Sequence, residues 1–482
     1  MGQRWSKKRG FGTRSPGAYR RIYGVDDATP SPTCPRCEAL AKELAVLRAE
    51  VRELRARLNQ NSSNSNRPPS SDPPGMNRAA RRAAESQRKR GGQPGHAKSS
   101  RPLQPPDEVK SCVPQTCAKC GSALRGADPD PNRHQVTEIP PIKARVVEYE
   151  LHALRCRRCG HTTRAELDGD VPRGAFGPRL QSLVATLTGC YRISRRNVRD
   201  MMESVFGTPM SLGATSNIER SVSTIVEPYH AQALAFVRKS KVAHPDETGW
   251  TENDKSAWMW TSVTAKATVF VIRPSRASEV AKEILGENFR GTNVSDRYSG
   301  YAWIDDRQRQ SCWAHLIRDF RKIAESGGAA QTIGECLESH AHRLFTYGHR
   351  VRDGTLTRAG FQRQVRRIRP SIHRLLEAGT LCDSRRAASL CRGILDARET
   401  LWTFVTTNGV EPTNNAAERA LRTAVIWRKP SYGTQSERGS RFVERMLTRG
   451  ANLRNHGRSL FDFLTEAVSA ALRGGPAPAL FG

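Results

Sequence analysis

Apolar residues near the start of the chain repeat with the spacing of a coiled coil. They lie at alternating intervals of four and three, at positions 40, 44, 47, 51, 54 and 58, which is an a/d seam of nearly three heptads. Glu43 and Glu50 take g positions, and Arg48 and Arg55 take the following e positions. This order suits ion pairs in a parallel homodimer. We predict a coiled-coil helix over 34–60. A helix packed on its own chain is the alternative, because three heptads alone are marginally stable.

A helical period returns over residues 178–225. It covers PRLQSLVATLTGC, SRRNVRDMMESVFG and SLGATSNIERSVSTIV, with Ser194 and Ser211 as N-caps of the second and third segments. The breaks between the segments have the spacing of a helix-turn-helix motif. We therefore predict a helix-turn-helix-like helical region over 171–236, with an ordinary helical hairpin as the alternative.

From Val242 the pattern becomes strand-like. VAHPDETGW, SAWMWTSVT and ATVFVIRP are followed by the helical SEVAKEIL, the strand-like NVSDRYSGY and SCWAHLIRDFRKIAE, which starts as a strand and continues as a helix. This order, β-β-β-α-β-α-β-α, predicts a ribonuclease-H-like core over 237–440, in which the first and fourth strands are neighbours. The Arg-rich helical stretch 316–405 is too long for a loop and predicts a helical insertion. Residues 441–482 are predicted to be a C-terminal helical tail, so the fold class is multidomain α/β.

Chain length, net charge and the distribution of apolar residues limit which classes of partner the protein can have. The chain has 482 residues and a formal net charge of +31, which indicates several domains and a polyanionic partner, above all nucleic acid. It contains no apolar run of 18 residues, no basic amphipathic helix with an aromatic face, and no apolar segment behind its N-terminal charges. These features argue against a membrane partner and a secretory signal. We expect a cytoplasmic, nucleoid-associated protein.

Two basic segments flank the predicted coiled coil. Residues 1–33 are expected to be a basic disordered arm, and residues 61–110 a basic polar linker. The linker and the helix-turn-helix-like region supply the candidate phosphate contacts, although a solvated linker without a partner explains the linker charges equally well. These candidates are Arg78, Arg81, Arg82, Arg88, Lys89, Arg90, Arg195 and Arg196.

Paired cysteines predict a zinc site. Cys117 and Cys120 form one CxxCG knuckle, Cys156 and Cys159 form a second, and the segment between them alternates as short strands do. Four thiolates on two such turns suit tetrahedral Zn²⁺, so we predict a zinc ribbon over 111–170. A redox role is the weaker alternative, because no helix follows either pair to lower a thiol pKa. Another pair, Cys34 and Cys37, has no second half nearby; it binds zinc across a dimer or has no ligand.

Three acidic residues stand where a two-metal site would need them. Asp246 and Asp296 lie at the ends of strand-like runs, and Glu418 lies at the start of a helical run. Carboxylates so placed can hold two Mg²⁺ or Mn²⁺ ions for attack on a phosphodiester. Each also has a structural explanation: turns for the two aspartates, and a capping box with Asn415 for Glu418. His244 and His315 are candidate accessory groups, with a packed or surface histidine as the alternative for each.

The sequence resembles the transposases of the insertion sequence 66 family, which are of the DDE type. The resemblance runs from about Leu40 to the C-terminus and rests on NSSNSNRPPSSD, GGQPGH, CAKCG, CRRCG, HPDETGW, SDRYSGY, CWAHLIRDF and NNAAERALR. It implies a metal-dependent DNA strand transferase that binds transposon ends. It also implies that Asp246, Asp296 and Glu418 are the acidic triad, and that two small companion proteins of the same element are partners. The first 30 residues lie outside the pattern.

Two other functions fit parts of the sequence. A zinc-ribbon DNA-binding regulator, or a decayed transposase, would share the basic and cysteine-rich segments, but the complete acidic triad argues against it. A ribonuclease-H-like nuclease without strand transfer would share the triad and differ in the fate of the DNA 3′-hydroxyl.

Overall fold

The computed structural model describes residues 35–61, 101–476 and 478–479. Its contacts divide the chain after Asn77, and each part is described by itself. The first part contains helix α1, Pro35–Leu58, which confirms the predicted helix. The predicted seam is open to solvent, since Leu47 and Leu54 are 57% and 49% exposed. The parallel dimer stays a prediction. Cys34, the arm 1–33 and the basic residues 78–90 lie outside the described residues, as does the side chain of Cys37.

The cysteine-rich region forms two short hairpin-like turns. Strands β1 (Ala153–Arg155) and β2 (Thr162–Arg164) pair antiparallel on either side of the second knuckle. An isolated bridge joins Thr116 to Ala123 around the first. Of the strands expected between the knuckles, the structure has only β1 at the end of that segment, and residues 134–152 are described without any strand. Their alternating apolar side chains are exposed, and alternation forms a strand only where a face is buried.

Three helices follow: α2 (Pro178–Gly189), α3 (Arg195–Phe206) and α4 (Leu212–Arg238). Both predicted N-caps are confirmed. The Ser194 hydroxyl accepts from the Asn197 backbone N–H at 3.2 Å, and the Ser211 hydroxyl accepts from the Ala214 N–H at 3.0 Å. The helices share a buried apolar cluster with the two last helices of the chain. Helices α2, α3 and α4 and the two last helices are therefore parts of one packed layer.

A mixed five-stranded sheet forms the centre, with the strand order β5-β4-β3-β6-β7. Its strands are β3 (Val242–Glu252), β4 (Lys255–Val263), β5 (Thr268–Arg273), β6 (Thr292–Ser295) and β7 (Arg309–Ser311). Strands β3, β4 and β5 are antiparallel, whereas β3, β6 and β7 are parallel. The predicted adjacency of the first and fourth strands is confirmed.

The connections in the sheet correct one expectation. Helix α5 (Ser278–Leu285) links β5 to β6 as predicted. Between β6 and β7, however, the chain makes two 3₁₀ turns, Ser299–Tyr301 and Asp306–Gln308, and no α-helix. The parallel step from β6 to β7 is therefore made by a short, irregular connection whose Tyr301 is fully buried.

The helical insertion follows β7. It consists of α6 (Trp313–Ala324), α7 (Gly328–Arg352), α8 (Arg358–Gly379), α9 (Arg385–Asp396), the 3₁₀ turn Arg398–Leu401 and α10 (Thr403–Thr406). Trp313 anchors it, with ring centroids 5.2 Å from Trp402 and 6.3 Å from Phe404. Among the described helices, none is both long and apolar enough to cross a membrane.

The chain ends with α11 (Asn415–Ser431), α12 (Glu437–Asn455) and α13 (Leu460–Arg473). Helix α12 covers the edge strand β5 through three side chains spaced four residues apart. Glu444, Thr448 and Asn452 accept hydrogen bonds from the backbone N–H groups of Ile272, Phe270 and Thr268. This ladder satisfies edge donors that would otherwise be open to another strand. Helix α12 runs across the boundary predicted at 440/441, and its residues Val443 and Leu447 pack in a cluster with residues of the sheet.

Candidate active site

Two of the three predicted acids lie where strands β3 and β6 separate. The parallel pairing of these strands joins Val242 to Thr292 and Ala243 to Asn293. Asp246 lies just past this pairing, and Asp296 directly follows β6. Asp246 is not at a strand end, as the sequence suggested. It is inside β3, because the strand continues beside β4, where Asp246 is opposite Thr261.

Local backbone donors hold each aspartate. One Asp296 carboxylate oxygen, Oδ1, accepts from the Tyr298 backbone N–H at 3.0 Å. Asp246 Oδ1 accepts from the Glu247 N–H at 2.9 Å. Both carboxylates are thus oriented by the chain that immediately follows them.

Glu418 reaches the same region from α11. The helix begins after its N-cap Asn414, whose side chain does not cap it. Instead the Asn414 amide donates to the Pro245 carbonyl at 2.7 Å, while its backbone N–H donates to the Cys312 sulfur at 3.2 Å. The capping box proposed for Asn415 therefore does not form, and Glu418 lies in the first turn of a helix fixed beside β3.

Burial and like charge dominate the electrostatics of the acids. Burial raises the pKa of Asp246 well above its usual value, and the negative charges of Glu247, Asp296 and Glu418 raise it further. Burial also raises the pKa of Glu418, against the lowering effect of Arg318 and Arg419. The three predicted acids thus interact across one region. Within the described ranges, however, no three His, Cys, Asp or Glu side chains form a group tight enough to hold a metal ion.

A fourth acid, Glu247, directly follows Asp246 in β3. The Glu247 side chain is 2% exposed, and its Oε1 accepts two hydrogen bonds from Arg276, at 2.9 and 2.6 Å. Its other oxygen accepts from the Tyr301 hydroxyl at 2.9 Å. Arg276 in turn lies 3.9 Å from the centre of the Tyr298 ring. Glu247 is therefore bound by protein groups, and its partners 29 and 54 residues away gave no signal in the sequence.

The two candidate histidines are neutral near pH 7. Burial lowers the pKa of His244 to about 4 and that of His315 to about 4, with Arg318 adding to the effect on His315. His315 Nδ1 lies 3.9 Å from a Glu418 carboxylate oxygen. His244 lies in β3, two residues before Asp246. The structure thus places the His315 imidazole beside Glu418 as an uncharged group, whereas for His244 it shows only the position in β3.

Of the two predicted phosphate contacts on α3, one is already occupied. Arg195 donates to Glu219 Oε2 at 2.8 and 2.5 Å, and the Glu219 side chain is almost buried. This ion pair ties α3 to α4. Arg196 is exposed and has no ion pair among the described residues, so it stays a candidate phosphate contact.

The predicted zinc ligands lie in two similar exposed turns. A hydrogen bond from the Ser122 hydroxyl lowers the pKa of Cys120, and the Cys159 backbone lowers the pKa of Cys156. Lower thiol pKa values favour the thiolate that zinc requires. In the described region the four cysteines of the two turns are not close enough together to form one metal-binding group. The thiol ligands suit zinc, but their arrangement in this structure does not.

Comparison with protein-family models shows the family to which this chain belongs. Residues 173–441, more than half of the chain, match the transposase IS66 family. The protein belongs to the IS66 transposase family. The resemblance in the sequence is thus confirmed. Residues 114–160 match the zinc-finger binding domain of IS66 transposases, which supports zinc binding there. Residues 30–102 match a family of unknown function, DUF6444.

One curated relative is an uncharacterized protein, y4qI, of Sinorhizobium fredii (strain NBRC 101917 / NGR234). It is 27% identical over 210 residues, which are 41% of this chain and 39% of that protein. The chain therefore covers about two fifths of the length of this relative.

Proposed function

We propose that this IS66 family transposase cleaves DNA at transposon ends and joins it to target DNA, using Asp246, Asp296 and Glu418 in a ribonuclease-H-like core. One observation carries the proposal. The three acids come from separate elements, β3, the end of β6 and the first turn of α11, and act electrostatically on one another. The central pair of neighbouring strands is the arrangement from which such a core takes its two aspartates.

The donor set suits a hard divalent cation, Mg²⁺ or Mn²⁺. The raised pKa of Asp246, caused by burial and by three neighbouring acids, marks a concentration of carboxylates that a cation would neutralise. When bound, divalent ions activate the attacking oxygen and stabilise the leaving oxygen. The three carboxylates do not form a tight group in this structure, so we expect their side chains to rearrange on binding.

Protein groups around the acids would orient the DNA. Arg318 and Arg419 act on Glu418, and neither forms an ion pair within the described residues. We propose that they bind phosphate oxygens on either side of the scissile bond. The uncharged His315 beside Glu418 would keep that carboxylate in place without neutralising it.

The remaining modules would bind and assemble the DNA. We propose that the zinc domain with Cys117, Cys120, Cys156 and Cys159, the helix-turn-helix-like region and the basic linker hold transposon ends. The coiled coil would form a homodimer, and companion proteins of the element would complete the complex. Such a protein would act in the cytoplasm on the nucleoid.

A cleavage assay tests the proposal. Purified protein, with companion proteins supplied, is given a supercoiled plasmid that carries the element's ends, with Mg²⁺ or Mn²⁺. We expect cation-dependent nicking and joining, and we expect Asp246→Asn and Asp296→Asn to bind the ends but not cut them. Binding by the wild-type protein without any cutting would favour the DNA-binding regulator. Cutting without joining would favour the nuclease.

A further inference from the structure

Helix α8 of the insertion has one buried and one strongly basic face. Phe361, Val365, Ile368, Ile372 and Leu376 are buried against the insertion core. Around the opposite side lie four arginines, here called the arginine face: Arg363, Arg366, Arg367 and Arg374, all of them exposed. The helix holds a single acid, Glu377, which pairs with His373 at 3.3 Å.

The other two arginines of α8 have structural partners. Arg358 donates to the backbone carbonyls of Phe404 and Val405. Arg369 pairs with Glu399 at 3.6 Å and lies 5.8 Å from the Trp402 ring centre. The four residues of the arginine face make no ion pair or hydrogen bond in the described part of the chain.

Like charges one helical turn apart destabilise a helix. Arg363 and Arg367 have this spacing, and Arg366 and Arg367 are adjacent. No fold contact requires four cations on this face. From Arg363 to Arg374 the helix rises roughly 16 Å at about 1.5 Å per residue. That length corresponds to about five base-pair steps of about 3.4 Å in duplex DNA.

The helix that carries the face is connected to the candidate site by packed aromatic rings and one backbone hydrogen bond. On the buried side, Phe361 contacts Phe404 with ring centroids 6.0 Å apart, and Phe404 lies 6.3 Å from Trp313. The Trp313 backbone N–H donates to the Pro412 carbonyl at 2.9 Å, just before the helix of Glu418. The arginine face lies on the side of the helix opposite these contacts. DNA bound to it would therefore be contacted away from the scissile phosphate.

We propose that the arginine face of α8 is a second DNA-binding surface, which holds backbone phosphates of the duplex flanking the cleavage site. The inference rests on the proposed function, since it assumes that DNA enters the acidic site. Arginines on an exposed face would contribute affinity and orientation, but no sequence preference.

The test compares two full-length triple variants of equal charge. The first is Arg363→Gln, Arg367→Gln and Arg374→Gln. The control is Arg290→Gln, Arg307→Gln and Arg473→Gln, which removes three exposed arginines outside α8. Affinity for a random-sequence duplex is measured as a function of salt. We expect the slope of log affinity against log salt to fall by about 0.9 per lost contact in the α8 variant, about 2.7 in all, and by much less in the control. Replacing the same three arginines of α8 by Lys should keep the slope.

Duplex length provides the second measurement. Lengthening the duplex should strengthen its binding to the wild type and to the control variant, but not to the α8 variant. Equal slopes and equal length dependence in all three proteins would overturn the proposal, and so would preferential loss of binding to an acidic protein instead of DNA. Neither measurement uses catalysis. If the wild type fails to cut DNA, the proposed function fails while this test still stands.

Discussion

The side-chain amide of Asn414 donates a hydrogen bond to the backbone carbonyl of Pro245, with 2.7 Å between the two atoms. Asn414 is 2% exposed, and 169 residues separate it from Pro245. The bond joins the residue before Asp246 to the N-cap residue of the helix of Glu418. Two of the three acids are thus placed relative to each other by one buried amide.

Asn414→Ala should therefore impair catalysis more than DNA binding. Removing the amide leaves the buried Pro245 carbonyl without this donor, at a cost of about 1–3 kcal/mol of unfolding free energy. We expect cleavage to fall at least about tenfold, because a small displacement of a catalytic helix lowers rate strongly. The matched control is Asn415→Ala, one residue on and exposed. Equal cleavage by the two variants would show that the bond only stabilises the fold.

The zinc domain should contain about one metal ion per chain, since four thiolates satisfy one tetrahedral Zn²⁺. Replacing both Cys117 and Cys156 by Ser should remove that zinc, as measured by elemental analysis, and leave the remaining core folded by circular dichroism. Replacing the exposed Cys112 and Cys336 by Ser should change neither quantity, because they lie outside the two knuckles. Zinc retained at the wild-type level in the first variant would refute the assignment.

The coiled coil should be sensitive to charge on its seam. Leu47 is a d position and is 57% exposed in the single chain, whereas Val46 is 66% exposed but lies off the seam. Leu47→Glu places like charges at the dimer interface, so we expect its mass by light scattering to fall toward the monomer. Val46→Glu should keep the wild-type mass. Identical masses for the two variants would indicate that the seam does not form the dimer.

The free energy of unfolding should depend on pH through the buried carboxyl group of Glu444. Its side chain is 2% exposed. Burial raises its pKa from 4.5 to about 7, although the positive charges of Arg441 and Arg273 lower it in part. The raised value favours the protonated form in the fold. The resulting stability is fully present below about pH 4.5 and is lost as pH rises through about 7.

Glu444→Gln keeps the acceptor for Ile272 but does not titrate. The stability of wild type minus that of the variant should therefore decrease from pH 5 to 8, by at most about 3 kcal/mol for a shift of this size. Denaturant unfolding at each pH measures the difference, because most other groups titrate alike in both proteins. A difference independent of pH would mean that the arginines keep Glu444 charged throughout.

Local signals predicted much of this fold because they act over a few residues. The caps at Ser194 and Ser211, the helix at Ser278 and the β3–β4 hairpin all depend on neighbours in sequence. Asn253 and Asp254 adopt positive φ angles of 50° and 58° in that hairpin, as a two-residue turn of type I′ requires. The adjacency of β3 and β6 was predicted from element order alone.

What the sequence could not show depends on long-range contacts. The ladder of Glu444, Thr448 and Asn452 is polar on a helix that otherwise looks amphipathic, and only the edge strand explains it. The same holds for Asn414, which local rules favour as a cap although its partner is a distant carbonyl. Asp246 was placed at the end of a strand-like run, with a turn as its structural explanation, but pairing with β4 carries the strand through Asp246.

Glu418 gives the sharpest prediction, because its local explanation has lost its support. Glu418→Gln keeps the length and the hydrogen-bonding oxygen, so a structural role would be nearly preserved. A neutral amide cannot replace a carboxylate on a hard divalent cation. We expect Glu418→Gln to fold and to bind transposon ends like the wild type, but to lose cation-dependent cleavage and joining.

The control is Glu411→Gln, at an exposed position in the preceding loop, which should stay active. Binding of Mn²⁺, followed by its paramagnetic resonance, should weaken in the first variant and not in the second. Strand transfer by Glu418→Gln near the wild-type rate would remove this residue from the site, and the two aspartates would then need another third partner.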